Sequence, residues 1–409
     1  RYGWGGDPGI TLTHSAKTDA AGAHVLHMDF LSVKPPRPMS VNAQATVMDV
    51  NRQAWATSAS VLVHPAAHYV GLKTATYFVE KGKPIDVQAI LVDLDGNPII
   101  GHPIDLRVVR LDWAWDKGQY KTTEEDPQSC APASQKDPVT CSFATPEGGQ
   151  YKITATILDD RGRPNQSEMT MWVAGGDLPP ARNVEQEAIT LIPDQKDYQH
   201  GDTAQILVQA PFFPAEGILS IRRSGIVSTE RFTMSSSSTT VKVPILDGYT
   251  PNVFVQVDLV GASARLDDDG NPAVDLPKRP AFAMGQLNLS VPPRQRTLKV
   301  TVTPHDAKLA PGEDTAIAVD VRDAVGQPVA GAEVALIVVD ESVLALTGYQ
   351  HPDPIDAFYG MRWQGARDHH MRPWVHLARP DLDSLGGGDR DGDAIADSQA
   401  GWYKIGEGR

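Results

Sequence analysis

The sequence predicts an all-β chain, a tandem of immunoglobulin-like β-sandwich domains with a short helix near its C-terminal side. Three observations carry that expectation. Helical periodicity is scarce, and alternating or short apolar runs are bounded by Gly, Pro, Asn and Asp at sandwich-like spacing. The 32 Pro and 35 Gly are spread along the 409 residues, as many strands with many turns require. Finally, the runs repeat.

One repeated unit is the turn Asp-x-x-Gly-x-Pro, found at Asp93-Leu-Asp-Gly96-Asn-Pro98, Asp159-Asp-Arg-Gly162-Arg-Pro164, Asp267-Asp-Asp-Gly270-Asn-Pro272 and Asp323-Ala-Val-Gly326-Gln-Pro328. Gly supplies a positive φ and Pro ends the turn without an amide donor, so each copy predicts a hairpin corner. A second unit, an alternating strand opened by Gly, precedes the first and last of these turns at Gly82 and Gly312, with a third copy at Gly201. These glycines sit a little over a hundred residues apart, about the length of one sandwich. A third unit, from Thr145 through Gly148 and Tyr151 to Asp159, predicts closing strands and has a weaker echo around Thr18, Gly22 and Ala45 to Asp49. The phasing divides the chain into a partial domain over 1–64, complete domains over 65–176 and 177–292, and a last unit over 293–409. The connectors His64-Pro65, Pro179-Pro180 and Pro292-Pro293 are short and Pro-containing, which predicts fixed relative orientations.

Chain length bounds the domain count at about three or four. With 41% hydrophobic and 22% charged residues the composition is that of an ordinary globular protein. The formal net charge of -14 argues against nucleic acid and against an anionic membrane surface. The pairs Arg222–Arg223 and Arg161–Arg163 are expected on solvated faces. Cys130 and Cys141 lie in one polar segment between strand-like runs. A disulfide there would indicate an oxidising compartment; two free thiols or half of a metal site are the alternatives, and no His or further Cys stands nearby to complete a zinc set. No signal peptide, lipid-attachment Cys or 18-residue apolar run is present. The chain opens at Arg1-Tyr-Gly-Trp, so it is expected to be a piece or mature segment of something longer.

Val109, Leu111, Trp113 and Trp115 alternate onto one strand face, expected to be core rather than an aromatic ligand platform. Residues 235–240, Ser-Ser-Ser-Ser-Thr-Thr, are expected to form a polar hairpin or edge. Asn165 and Asn288 fit the N-glycosylation pattern, which matters only in a eukaryotic secretory host. Motifs of enzyme catalysis do not stand out, so neither catalytic residues nor a cofactor is assigned. Asp368-His369-His370 is the densest His cluster, but it lacks a third spaced ligand and reads as a loop. Asp389 to Asp397 alternates carboxylates around Gly392 without the EF-hand order, so an acidic segment is the expectation and calcium the alternative. No metal site is assigned.

The chain is organised around Val334-Ala-Leu-Ile-Val-Val-Asp340-Glu-Ser-Val-Leu-Ala-Leu-Thr347-Gly348-Tyr349. An apolar strand is expected to end at Asp340, which caps a short helix that stops at Gly348. Beyond Tyr359 the regular pattern lapses. This stretch, with Pro352-Asp353-Pro354 and Phe358-Tyr359, closely resembles the macroglobulin-like domain of bacterial alpha-2-macroglobulins that carries the bait region. The earlier turns and phasing resemble that family's preceding macroglobulin-like domains, from about Ala45 onward.

The resemblance implies a broad-spectrum endopeptidase inhibitor in which a protease cuts the bait, the body rearranges and the protease is trapped. It places the bait from about Met361 to the end, with cleavage candidates Arg367, Arg372, Arg379, Leu382, Leu385, Arg390, Tyr403, Lys404 and Arg409. Endopeptidases of several specificities would be the partners, together with further C-terminal domains of the same protein. The location would be the periplasm or cell envelope, with anchoring through a preceding N-terminal part. The family's thioester motif, Cys followed two residues later by Glu and Gln, is absent: Cys130 begins Cys-Ala-Pro-Ala and Cys141 begins Cys-Ser-Phe-Ala. An adhesive or structural array of sandwiches, with or without calcium dependence, is the rival reading, and limited proteolysis separates the two.

Overall fold

Turn chemistry sets the frame of the fold. The computed structural model describes residues 11–27, 35–48, 52–116, 119–176, 187–265, 273, 275–310, 312–349 and 352–368. Three of the four Asp-x-x-Gly-x-Pro turns fall among them, and all three are built alike. The Asp Oδ1 accepts the amides two and four residues on, at 2.9 and 2.8 Å for Asp93, 2.9 and 2.9 Å for Asp159, and 3.0 and 2.8 Å for Asp323. The Gly takes φ of 87°, 72° and 85° in the same order, a region that costs other residues strain. The turn at Asp267 lies outside the described residues.

Asp159 differs from its counterparts in being buried. Its Oδ2 accepts the Ala67 amide at 2.9 Å and Arg163 Nε at 2.8 Å, tying the connector to the turn. Burial alone would raise its pKa, but the hydrogen bonds from Ala67, Arg163 and Arg161 outweigh it and hold the carboxyl well below its ordinary range.

The strands in chain order are β1 (Met39–Met48), β2 (Ala54–Val63), β3 (His68–Thr74), β4 (Phe78–Val79), β5 (Ile85–Asp93), β6 (Asp105–Asp116), β7 (Gln119–Cys130), β8 (Val139–Phe143), β9 (Gly149–Leu158) and β10 (Pro164–Val173). They continue as β11 (Glu187–Ala188), β12 (Thr190–Pro193), β13 (Thr203–Gln209), β14 (Ala215–Arg222), β15 (Ile226–Met234), β16 (Ser238–Pro244), β17 (Asn252–Ser263), β18 (Arg279–Ser290), β19 (Lys299–Pro304) and β20 (Ile317–Arg322). Two short helices, α1 (Glu341–Thr347) and α2 (Pro354–Phe358), follow. The fold is all-β, and among the described residues α-helix is confined to the C-terminal side.

Two central sandwiches share one plan. In the first, a three-stranded sheet of order β3-β5-β8 faces a five-stranded sheet of order β4-β10-β9-β6-β7. In the second, β12-β13-β16 faces β11-β18-β17-β14-β15. Alternation along β5 sends Ile85, Val87 and Leu91 inward, where they meet Leu106, Val108, Ile153, Ile157 and Met171 of the facing sheet. Cys130 at the end of β7 and Cys141 in β8 form a disulfide, so the bridge joins the two sheets of the first sandwich.

One strand expectation needs correction and a second is met in part. Along β6 the inward residues are Leu106 and Val108, and the register against β7 shifts between Val108 and Arg110, with the extra residue on β7. Val109 is buried, but Trp113 is exposed rather than core, because β6 pairs with β9 only as far as Leu111 and runs on with β7 beside it. The side chain of Trp115 lies outside the described residues. The serine run forms no hairpin, but its last residues, Ser238–Thr240, begin β16 at the edge of the three-stranded sheet, as the alternative expectation had it. It carries the chain from β15 in the five-stranded sheet to β16 in the three-stranded one.

A small apolar cluster of Phe78, Ala174, Ile192 and Leu207, with Trp172 against it, spans the two sandwiches. The Gly175 amide also donates to Ser238 Oγ at 2.8 Å across the same junction.

The flanks are built differently. β1 and β2 form a two-stranded sheet with Trp55 and Val61 exposed, and among the described residues β19 pairs with β20 alone. Residues 334–339, expected as a strand, carry no strand pairing, and Ile337 and Val338 are exposed. An apolar run becomes a strand only where a neighbour accepts its backbone hydrogen bonds. The helix signals held: Asp340 Oδ1 accepts the Ser342 amide at 2.8 Å, and Gly348, at φ 62°, returns its amide to Leu344 O at 2.9 Å. Asp353 caps α2 in the same way. Among the described residues, no helix is long and apolar enough to cross a membrane.

Candidate functional site

The site of interest is where the segment expected as bait leaves the folded part. After α2 the chain runs over residues 359–368 across one end of the second sandwich's five-stranded sheet. β14 ends there at Arg222 and reverses into β15 through Arg223-Ser224-Gly225, with Ser224 at φ 52° and Gly225 at φ 136°. The neighbouring β17 contributes Asn252, Gln256 and Asp258.

Backbone contacts fix the path. Asn252 behaves like a peptide group toward Arg362: its Oδ1 accepts the Arg362 amide at 2.8 Å and its Nδ2 donates to the Arg362 carbonyl at 2.9 Å. The Ser224 amide donates to Trp363 O at 3.1 Å and the Gly225 amide to Gln364 O at 2.8 Å. Gln286 Nε2 bonds the Gln364 side chain. Gly365, at φ 68°, lies so close to the reversal that a Cβ would stand 2.5 Å from the Ser224 carbonyl carbon. No larger residue fits there without moving backbone.

The strongest contact is ionic. Arg222 is 2% exposed, and its guanidinium grips Asp368 in a two-pronged pair, Nη1 to Oδ2 at 2.6 Å and Nη2 to Oδ1 at 2.8 Å. Gln256 Nε2 adds a bond to Asp368 Oδ2 at 3.0 Å, and Asp258 stands 4.0 Å from Arg222. Nearby, Arg296 lies 5.8 Å from the Tyr359 ring, and Arg223 donates to Thr250 O. Burial, and then the positive charge of Arg362, lower the pKa of Arg223.

Arg222 was expected on a solvated face. Two adjacent arginines at a strand end read as surface, and the carboxylate that buries one of them is 146 residues away. Of the expected cleavage residues, Arg367 is exposed but flanked by Asp368, so it belongs to the strapped segment. Arg372, Arg379, Leu382, Leu385, Arg390, Tyr403, Lys404 and Arg409 lie outside the described residues, as do His369, His370 and the acidic run from Asp389 to Asp397.

Fold and strap together define a class: a tandem β-sandwich protein whose C-terminal segment is rooted on a preceding domain. A family model described as the alpha-2-macroglobulin bait region domain matches residues 189–346. An alpha-2-macroglobulin homolog from Nostoc sp. is 25% identical over 359 residues, covering 85% of this chain and 18% of the relative. An alpha-2-macroglobulin from Xylella fastidiosa is 22% identical over 378 residues, covering 87% and 22%. The Circularly permutated Ras protein 2 of Dictyostelium discoideum is 22% identical over 409 residues, covering 85% and 10%. The native conformation of E. coli alpha-2-macroglobulin overlays with a TM-score of 0.32 at 17% identity, covering 88% of this chain and 24% of that one. Methylamine-reacted Salmonella alpha-2-macroglobulin does so at 0.30 and 18%, covering 80% and 22%. The chain is thus similar to alpha-2-macroglobulins, bacterial ones among them, and the match to that family's bait region domain covers residues 189–346. The chain spans between 10% and 22% of the length of these curated relatives.

Proposed function

We propose that this chain is the part of a broad-spectrum endopeptidase inhibitor that displays the bait to the protease. The observation that supports this most is the strap: residues 361–368 are pinned to the second sandwich directly before a segment rich in basic, aromatic and aliphatic residues that suit several proteases. An endoprotease needs its substrate extended and unpaired over several residues. While Arg222 holds Asp368, cutting is expected after the strap rather than within it, so residues 369–409 are the working bait. Covalent trapping would need further domains of the same protein, since no thioester motif lies in this sequence. The disulfide between Cys130 and Cys141 fits an oxidising compartment such as the periplasm or cell envelope.

Limited proteolysis tests the reading. Trypsin-, chymotrypsin- and elastase-like proteases should all cut first between 369 and 409, with fragment masses giving the positions. First cuts at the connectors near 64–68, 175–180 or 291–294 would sink it and favour a plain array of sandwiches.

A further inference from the structure

We infer that the first sandwich carries a binding site for a divalent transition metal of the zinc class, formed by His68, His102 and Asp160. One ligand atom from each of the three lies within 4.8 Å of the other two. Asp160 bridges the histidines: its Oδ2 is 3.9 Å from His68 Nε2 and its Oδ1 is 3.7 Å from His102 Nε2. The two imidazole rings stand edge to face at 5.3 Å. Two imidazoles and one carboxylate are a donor set that zinc accepts, with water completing a tetrahedron.

The second observation is the state of His68. Its side chain is 10% exposed, and its buried Nδ1 has no hydrogen-bond partner among the described residues. No protein hydrogen bond therefore holds the ring through Nδ1, and Nε2, the nitrogen that faces Asp160, can turn onto a cation without breaking one.

The backbone frame for these ligands is already in place. His68 opens β3 immediately after Ala67, whose amide is held by the buried Asp159 next to Asp160. His102 follows the first repeat turn and is fixed through Ser134, which accepts the His102 amide at 3.0 Å and returns its own amide to His102 O at 2.8 Å. Ligands on a tetrahedral zinc stand about 3.3 Å apart. The side chains of His102 and Asp160 are 32% and 75% exposed, so they can close the remaining gap by rotation without moving the backbone. Such a site would clamp the connector at 64–68 to two corners of the first sandwich, and it is independent of the bait reading.

The experiment uses the full chain stripped with a chelator, titrated with Zn2+ by calorimetry and with Co2+ by visible absorption. Wild type should bind one ion in this site with the absorption of a four-coordinate cobalt. His102→Ala and Asp160→Asn should each weaken binding at least about tenfold, whereas the double variant His369→Ala/His370→Ala should bind as wild type does. Both ligand variants alter exposed side chains, and an unchanged metal-free melting curve shows that either is folded. Binding in H102A and D160N equal to wild type, loss of binding in the tail variant, or no binding at all would overturn the assignment.

Discussion

β5 and β20 begin from the same sequence unit and end in different environments. Each follows a Gly with positive φ, Gly82 at 84° and Gly312 at 91°, and each runs into an Asp turn of the same construction. Yet β5 buries Ile85, Val87 and Leu91 completely, while no residue of β20 is buried. β5 lies between β3 and β8 under a second sheet, whereas among the described residues β20 has only β19 beside it. Local chemistry therefore decides where a strand starts and turns. Burial is decided by how many layers assemble around it.

The comparison is sharpest at matched core positions. Leu91→Ala should cost about 2–5 kcal/mol in the first sandwich, whereas Val321→Ala at the equivalent place in β20 should cost less than about 1. Hydrogen exchange read separately over each pair of strands measures both, and equal costs would show that β20 is as deeply packed as β5. Removing the Cys130–Cys141 bridge, which closes a loop of 11-residue separation, should destabilise the first sandwich by about 3 kcal/mol and leave β19 and β20 unaffected. A uniform loss along the chain would break the distinction.

The repeat turns give a smaller contrast. Asp159→Ala removes a buried carboxylate with a long-range partner and should cost about 2 kcal/mol, more than Asp93→Ala or Asp323→Ala, whose carboxylates bond within their own turns. Thermal melts of the three variants rank them, and a flat ranking would mean that the bond to Ala67 contributes nothing. The smallest expected effect is at the strap. Asp368→Asn leaves Arg222 beside Asp258, so it should speed exchange of the Ser224, Gly225 and Arg362 amides only about tenfold. Trypsin should then begin to cut after Arg367. Protection unchanged in this variant would show that backbone contacts alone hold the segment.

Much of this was legible because the relevant physics is local. Asp and Gly three residues apart specify a turn, Asp340 and Gly348 delimit a helix, and two Cys in one polar segment meet once the strands beside them pair. What could not be read depended on distant partners. Nothing near Arg222 announces that Asp368 will bury it, and nothing in the alternation of β6 tells that β9 stops pairing with it at Leu111. The strand expected at 334–339 failed for the opposite reason, since its apolar pattern is sound but no strand among the described residues receives it. His68, His102 and Asp160 come from three corners that only the assembled sandwich brings together.

The cluster of Phe78, Trp172, Ala174, Ile192 and Leu207 has a mechanical meaning. Leu207 is fully buried in a joint between two bodies, where water would lubricate a hinge if it could enter. Bending the two sandwiches apart at this joint would expose those side chains to water, at roughly 25 cal/mol for each Å² of apolar surface, so the cluster opposes it.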